Sequence, residues 1–343
     1  ILYPRHLSME QCSSEITALY KASLVGGESF TDLTAGLGVD CSFLARRFRR
    51  ADYVERQETL CRLAAHNFPL LGLDHIRVHH ADALEYLWEM EPVDCLFLDP
   101  ARRDSHGGKT VAITECEPDV CALESLLVEK GRKVMVKLSP MLDMASALRD
   151  LKYIRELHVI AVNNECKELT AVLYQMNSVN ESSEKEVVIS CEQAVHNSLS
   201  EPFTYTLSEE KNAVCQLADR VETYLYEPGA ALLKAGPYRL LSQRYGVKKL
   251  HPNSHLYTSS VQVDFPGRCF QVTGISGFGK KEVKELLSGL EKANLTVRNF
   301  PASVADLRKK LKLKEGGDVY LFATTLQNGE KVLIKCLKPA LLS

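Results

Sequence analysis

"ELHVIAVNNECKELTAVLYQM", residues 156–176, holds two apolar runs, ELHVIAV and TAVLYQM, with only NNECKEL between them. A parallel crossover needs a dozen or more residues, so these two runs pair as an antiparallel hairpin. Upstream the pattern is different. Short apolar runs, SFTDL, ADYVE, HIRVHHAD, VDCLFLD and KVMVKLS, alternate with helical stretches at 39–48, 57–71, 83–90, 116–129 and 141–152. Such a βαβ series builds a parallel sheet with helices on both faces. The expected fold class is α/β: seven strands, parallel until a terminal antiparallel hairpin. A helix within SMEQCSSEITALYKASL precedes the sheet, with Ser8 as N-cap and Gln11 completing a capping box.

Beyond the hairpin, the polar run NSVNESSEKE (177–186) reads as a linker. VVISC and FTYTL follow as strands, then a helical stretch from Lys211 to Tyr245 interrupted near Pro228, and an extended HPNSHLYTSS segment. The remainder reads β, α, β, α, β, β. This divides the chain into 1–180, a smaller α+β piece at 187–265 and a second at 266–343.

Composition narrows the function classes. The 343 residues are 45% hydrophobic and 25% charged, as in a soluble globular protein. A net charge of −2 excludes a molecule that binds nucleic acid over its whole surface, so any basic surface is local. The eleven cysteines are odd in number and mostly lie within apolar runs, which is the pattern of reduced thiols in a cytoplasmic protein. There is no CxxC and so no zinc motif, and no stretch approaches the ~20 apolar residues of a membrane span. The chain begins at Ile1 rather than Met, so a natural N-terminal segment is expected to be missing.

The chemistry concentrates at FTDLTAGLGVD (30–40), where a strand ends at Asp32 and Gly36 and Gly38 allow backbone to approach a ligand ahead of a helix. A dinucleotide fingerprint would need a third glycine where Cys41 stands. Three further acids close successive strands: Glu55, Asp82 in HHADA and Asp99 in FLDPARR. Any one of them alone reads more readily as a helix cap or a solvated carboxylate than as a ligand contact. Four in register lie along the rim where open α/β sheets bind ligands.

With these residues, 8–176 resembles the class I S-adenosylmethionine-dependent methyltransferases and their seven-stranded Rossmann-like sheet. The resemblance implies that Asp32, Gly36 and Gly38 border the methionine part of the cofactor, Glu55 the ribose and Asp82 the adenine. Thr34, Ala35, Asp40, Arg56 and Ala83 complete the implied cofactor-binding set. The C-terminal part, ending LRKKLKLKEGGDVYLFATTL, is similar to the THUMP-like domain of a bacterial methyltransferase family, with a small ferredoxin-like piece before it.

Asp99 and Pro100 match the start of the motif with which amino-methylating relatives hold the acceptor, but Ala101 and Arg102 replace its second proline and aromatic. An arginine plane can also stack on a base. Arg102, Arg103 and Lys137 can neutralise a substrate phosphate or carboxylate. KLSPMLD carries no cysteine where pyrimidine-carbon methylating relatives place one. The order of N-terminal helix, cofactor loop and strand-four motif is similar to that of the guanine exocyclic-amine enzymes, a resemblance that keeps a purine amine open. The candidate catalytic residues are therefore Asp99, Pro100, Arg102 and Lys137. His79 and His80 are adjacent on a strand and point to opposite faces, so joint metal ligation is not expected.

From Arg298 onward there are nine Lys or Arg against four Asp or Glu. Arg308, Lys309, Lys310 and Lys312 are the candidate RNA contacts, with Phe300, Tyr320 and Phe322 near them in sequence. The competing reading is an amphipathic helix end anchored by Leu307, Leu311 and Leu313. The expectation is a methyltransferase acting on RNA. The alternatives are a protein or small-molecule methyltransferase and a non-catalytic cofactor-binding RNA partner, with an NAD enzyme last.

Overall fold

The computed structural model describes residues 1–3, 12–102, 113–175, 186–195 and 198–339. The chain forms two units, Ile1–Thr206 and Leu207–Ser343.

In the first unit, β1 (Gly27–Asp32), β2 (Phe48–Glu55), β3 (Ile76–His80) and β4 (Val93–Leu98) precede a small ribbon of β5 (Ala101–Arg102) and β6 (Cys116–Glu117). The strands β7 (Gly131–Leu138), β8 (Ile154–Val162) and β9 (Glu165–Tyr174) follow. The sheet runs in the order β3-β2-β1-β4-β7-β9-β8, parallel except for the antiparallel β9. The hairpin is tighter than NNECKEL suggests. Asn163 and Asn164 form the whole turn at φ 50° and 62°, and the strand resumes at Glu165. Two successive residues at positive φ match the twist of the flanking strands, and asparagine tolerates that region.

Helices α1 (Glu15–Ser23), α2 (Val39–Leu44), α3 (Glu58–Leu70), α4 (Ala83–Glu89), α5 (Val120–Lys130) and α6 (Met144–Asp150) belong to this unit. Ser14, not Ser8, caps α1, accepting the Thr17 N–H at 3.4 Å. Ser8 and Gln11 lie outside the described residues. Central strands such as β4 are apolar along most of their length because both faces are covered. Their core includes Phe30 stacked on Phe48 (5.2 Å between centroids) and Tyr53 edge-on to Phe68 (5.5 Å).

The sheet does not stop at β8. β10 (Val188–Val195) pairs parallel with β8, and β11 (Ser198–Leu199) and β12 (Phe203–Thr206) pair with β10, giving ten strands. The first unit therefore ends at Thr206 rather than near 180. An uncovered β8 would expose a row of unpaired N–H and C=O groups, and Ile189, Ala194 and Tyr205 are buried in covering it.

The second unit is built on one sheet in the order β14-β15-β13-β16-β19-β18-β17. Its strands are β13 (Tyr224–Pro228), β14 (Lys248–Lys249), β15 (Tyr257–Ser259), β16 (Gly267–Ser276), β17 (Asn294–Val297), β18 (Val319–Thr325) and β19 (Lys331–Leu337). The helices are α7 (Leu207–Asn212), α8 (Ala230–Ala235), α9 (Tyr238–Tyr245), α10 (Lys280–Leu286) and α11 (Val304–Leu311). The helical expectation for 211–245 is corrected at Tyr224–Pro228, which is a strand held between β15 and β16. Leu225 and Tyr226 are both fully buried, so the alternation that marks a half-exposed strand is missing. The pairing of β13 with β16 also carries one sheet across the expected boundary at 265/266.

Candidate active site

The loop after β1 is fastened on three sides. Leu33 N–H donates to Phe97 O, Ala35 N–H to Val54 O, and Gly36 N–H to Glu55 Oε2 at 3.0 Å. Gly36 and Gly38 lie at φ 53° and 74°, and a Cβ on Gly38 would sit 3.0 Å from Phe68 Cζ and 3.3 Å from Tyr53 Cε2. Gly38→Ala is accordingly expected to cost about 1–3 kcal/mol, seen as a lower melting temperature. An unchanged melting temperature would show that the loop relaxes freely. Cys41, where a third glycine would stand, is fully buried in the core.

The sequence-predicted acids separate into distinct roles. Asp32 is buried and accepts the Thr34 N–H at 3.1 Å, and burial pushes its carboxyl well above the usual range. Glu55 braces the loop through Gly36 and also accepts the Gln57 N–H at 2.8 Å ahead of α3. Each of its oxygens keeps a lone pair for a ligand hydroxyl. Asp82 caps α4 with Oδ1, accepting from Leu84 and Glu85, and Oδ2 takes no part in the cap. Ala83 opens α4. Arg56 pairs with Glu117 at 3.2 Å on the surface, where such pairs contribute little.

Asp99 meets the glycine loop directly, because its N–H donates to Thr34 Oγ1 at 2.6 Å. Its Oδ2 lies 2.6 Å from Lys137 Nζ, and Asp40 Oδ2 lies 3.7 Å from the same ammonium. Burial pulls the Lys137 ammonium down, but Asp99 and Asp40 outweigh it and hold the group above the ordinary lysine value. Asp40 thus acts as a counterion to the lysines. The side chain of Arg102, and Arg103 entirely, lie outside the described residues.

Sequence reasoning missed Lys21, Ser13 and Glu168. Lys21 is completely buried on α1, 2.8 Å from Asp40 Oδ1, 2.8 Å from Glu168 Oε1 and 2.7 Å from Ser13 Oγ. The available signal was its place on the same helix stripe as Thr17 and Ala18, both buried. Two ammoniums therefore face four carboxyls, those of Asp32, Asp40, Asp99 and Glu168. Burial also pushes Glu168 upward. With all four ionised the cluster would be short of positive charge, and burial accordingly favours the neutral form of Asp32 and Glu168. The cluster opens on a cleft of roughly 1270 Å³ lined by Gly38, Asp99, Pro100, Lys137, Ser139 and Glu168 among others.

His79 Nε2 lies 2.7 Å from Asp52 and His80 Nε2 3.0 Å from Arg56 O, so the two rings engage different partners. Among the described residues no cluster of three His, Cys, Asp or Glu is placed to hold a metal, and none of the eleven cysteines forms a disulfide. No described helix is long and apolar enough to cross a membrane. In the basic region, Leu307 and Leu313 are buried and Phe300 packs on Phe278 at 4.7 Å. Phe322 is buried and Tyr320 packs on Phe270, so these aromatics serve the core rather than an exposed stacking surface. Lys309, Lys310 and Lys312 are exposed, whereas Arg308 is half-buried and donates to Ala293 O at 3.2 Å.

Residues 224–266 match the model of a ferredoxin-like domain, and 267–338 that of a THUMP-like domain. Over 97% of its length the chain matches the crystal structure of a Porphyromonas gingivalis W83 protein designated a methyltransferase. The identity is 36%, the coverage of that chain 82% and the TM-score 0.88. The chain belongs to the S-adenosylmethionine-dependent methyltransferases that carry a C-terminal THUMP-like domain. It is also 30% identical, over 39% of its length, to the 23S rRNA (uracil(1939)-C(5))-methyltransferase of Colwellia psychrerythraea, of which it spans 32%.

The residues present fit this family's cofactor. A sulfonium and an amino group bring the positive charge that the carboxyls around Asp32 lack, and Gly36 carries no side chain to obstruct the approach. Asp32, Gly36 and Gly38 would hold the methionine part, Glu55 the ribose hydroxyls and Asp82 Oδ2 the adenine amine.

Proposed function

We propose that this protein methylates RNA at a nitrogen, the exocyclic amine of a purine, with Asp99 receiving the acceptor and the second unit recruiting the RNA. The observation that carries this reading is the 2.6 Å bond from Asp99 N–H to Thr34 Oγ1, which holds the acceptor motif against the cofactor loop. Bound S-adenosylmethionine supplies a methyl group activated by its sulfonium. The protein's own task is alignment, and positioning of this kind can supply several kcal/mol of a barrier. Asp99 accepts a hydrogen bond from the amine, so that the nitrogen lone pair is aimed across the cleft. Lys137 fixes the carboxylate through Oδ2. The amine's surplus proton leaves to water after transfer.

Carbon methylation of a pyrimidine is disfavoured because KLSPMLD, at the end of β7, carries no cysteine to attack the ring.

The test is transfer of tritium from labelled cofactor into separated RNA, protein and small-molecule pools, with Asp99→Ala as control. Label is expected in RNA, on a purine amine after nucleoside digestion. Label confined to protein or metabolites would overturn the RNA assignment. Stabilisation of the chain by NAD but not by S-adenosylhomocysteine would overturn the whole reading.

A further inference from the structure

In the second unit, two arginines converge on one carboxylate. Glu227, on β13, is 1% exposed. Arg268, opposite it on β16, donates Nε to Glu227 Oε2 at 2.9 Å and brings Nη2 to the same oxygen. Arg298 donates Nε and Nη2 to Oε1 at 3.1 and 2.8 Å. One negative charge thus faces two positive ones, and the triad keeps a net positive charge with no second acidic partner among the described residues. The Arg268 and Arg298 side chains are 42% and 36% exposed, and each retains an Nη1 group outside these bonds.

Each arginine serves a different oxygen of Glu227, so the pair satisfies the carboxylate while its single charge cancels only one of them. The second leaves an uncancelled charge at the surface, and both forks are locked before any ligand arrives. Arg268 is also seated over the Phe270 ring at 5.4 Å. Fixed guanidinium forks match phosphate oxygens and lose little entropy on binding.

The adjoining surface suits a nucleic acid. Arg298 is followed by Asn299, whose Nδ2 contacts His251 Nδ1 at 3.0 Å, and this loop leads to His255. His255 stacks on Tyr238 with centroids 3.6 Å apart, and Lys249, itself buried and donating to Pro252 O, has Nζ 5.0 Å over the same Tyr238 ring. Its backbone is held at φ 53°, a conformation a histidine keeps only where its surroundings impose it. Burial, with Lys249 and Arg298 adding, lowers its imidazole to about 4, so at neutral pH it is an uncharged ring suited to stacking.

We propose that Arg268 and Arg298, locked by Glu227, bind a backbone phosphate of single-stranded RNA whose neighbouring base stacks at His255. The site crosses the junction of the ferredoxin-like and THUMP-like stretches and is separate in sequence from the Arg308–Lys312 run. It rests on the RNA reading above and gives the second unit its specific contact.

The test is binding of a fluorescein-labelled oligouridylate to the full chain across a salt series, by anisotropy. Glu227→Gln/Arg298→Gln removes one arginine without changing net charge or orphaning a buried carboxylate. It is expected to weaken binding about five- to tenfold and reduce the log–log salt slope by about 0.7. Glu227→Gln alone, which keeps both arginines but loosens their forks, should weaken binding less than the double variant does, and an equal loss would overturn the role of Arg298. His255→Ala should weaken binding without changing the slope. Unchanged affinity and slope in the double variant, with its melting temperature intact, would overturn the site, as would a wild type that does not bind the oligonucleotide. Equal competition by oligoglutamate or inorganic phosphate would overturn the RNA assignment in favour of a general anion site. S-adenosylhomocysteine binding by calorimetry and label transfer into RNA report separately on the methyltransferase reading, so either conclusion can fail alone.

Discussion

Asp99→Ala is expected to lower the rate of methyl transfer by about 10²–10³-fold, the range seen when a preorganised polar group at a reacting centre is removed. S-adenosylhomocysteine binding should stay within about threefold of wild type, because the bond from Asp99 to Thr34 Oγ1 uses the backbone N–H and survives the substitution. Asp99→Asn, which keeps an acceptor oxygen, should recover part of the lost rate. Single-turnover kinetics with saturating cofactor separate these effects. A rate within twofold of wild type for Asp99→Ala would place the acceptor elsewhere in the cleft. Lys137 enters the same experiment through pH. Burial lowers its ammonium but Asp99 and Asp40 raise it further, so the rate should show no lysine limb up to about pH 10.

Lys21→Met is expected to destabilise the first unit by about 3–5 kcal/mol, since it leaves the buried Asp40 and Glu168 without their shared cation. For a unit of this size that corresponds to a fall of about 10 °C in melting temperature. The defect should depend on pH. Burial holds the Glu168 carboxyl above its unfolded value, so the folded state takes up the proton first and stability rises as pH falls through that window. The loss should therefore be largest near pH 8 and shrink towards pH 5. Lys21→Met/Glu168→Gln should recover part of it at neutral pH. A melting temperature unaffected by Lys21→Met would show that the cluster is hydrated and energetically unimportant.

Much of the candidate site was legible because its residues follow local rules. Asp32, Glu55, Asp82 and Asp99 each end or follow a strand, and a parallel sheet brings successive strand ends to one rim. The helix-cap reading also held in part, since Asp82 spends one oxygen on α4. Asp40 illustrates the limit. Its place after two glycines suggested the cofactor wall, but its partners are Lys21, 19 positions earlier in sequence, and Lys137 on β7. Lys21 reaches Glu168 across 147 residues, and no periodicity within α1 carries that information.

The secondary-structure corrections have related causes. Tyr224–Pro228 reads in sequence as part of a helix because a strand buried on both faces does not alternate. Val188–Val195 was recognisable as a strand, but nothing in its own residues says that its partner is β8 rather than a strand of the following unit.

By itself, then, the sequence determined the parallel series, its terminal hairpin, the glycine loop and the acids at strand ends, all of which depend on spacing along a few tens of residues. The tertiary structure decided which charges meet. Lys21 with Asp40 and Glu168, Lys137 with Asp99, and Arg268 with Arg298 on Glu227 are pairings of residues far apart in the chain. Each is set by which strands lie side by side and by the cost of burying a charge without a partner.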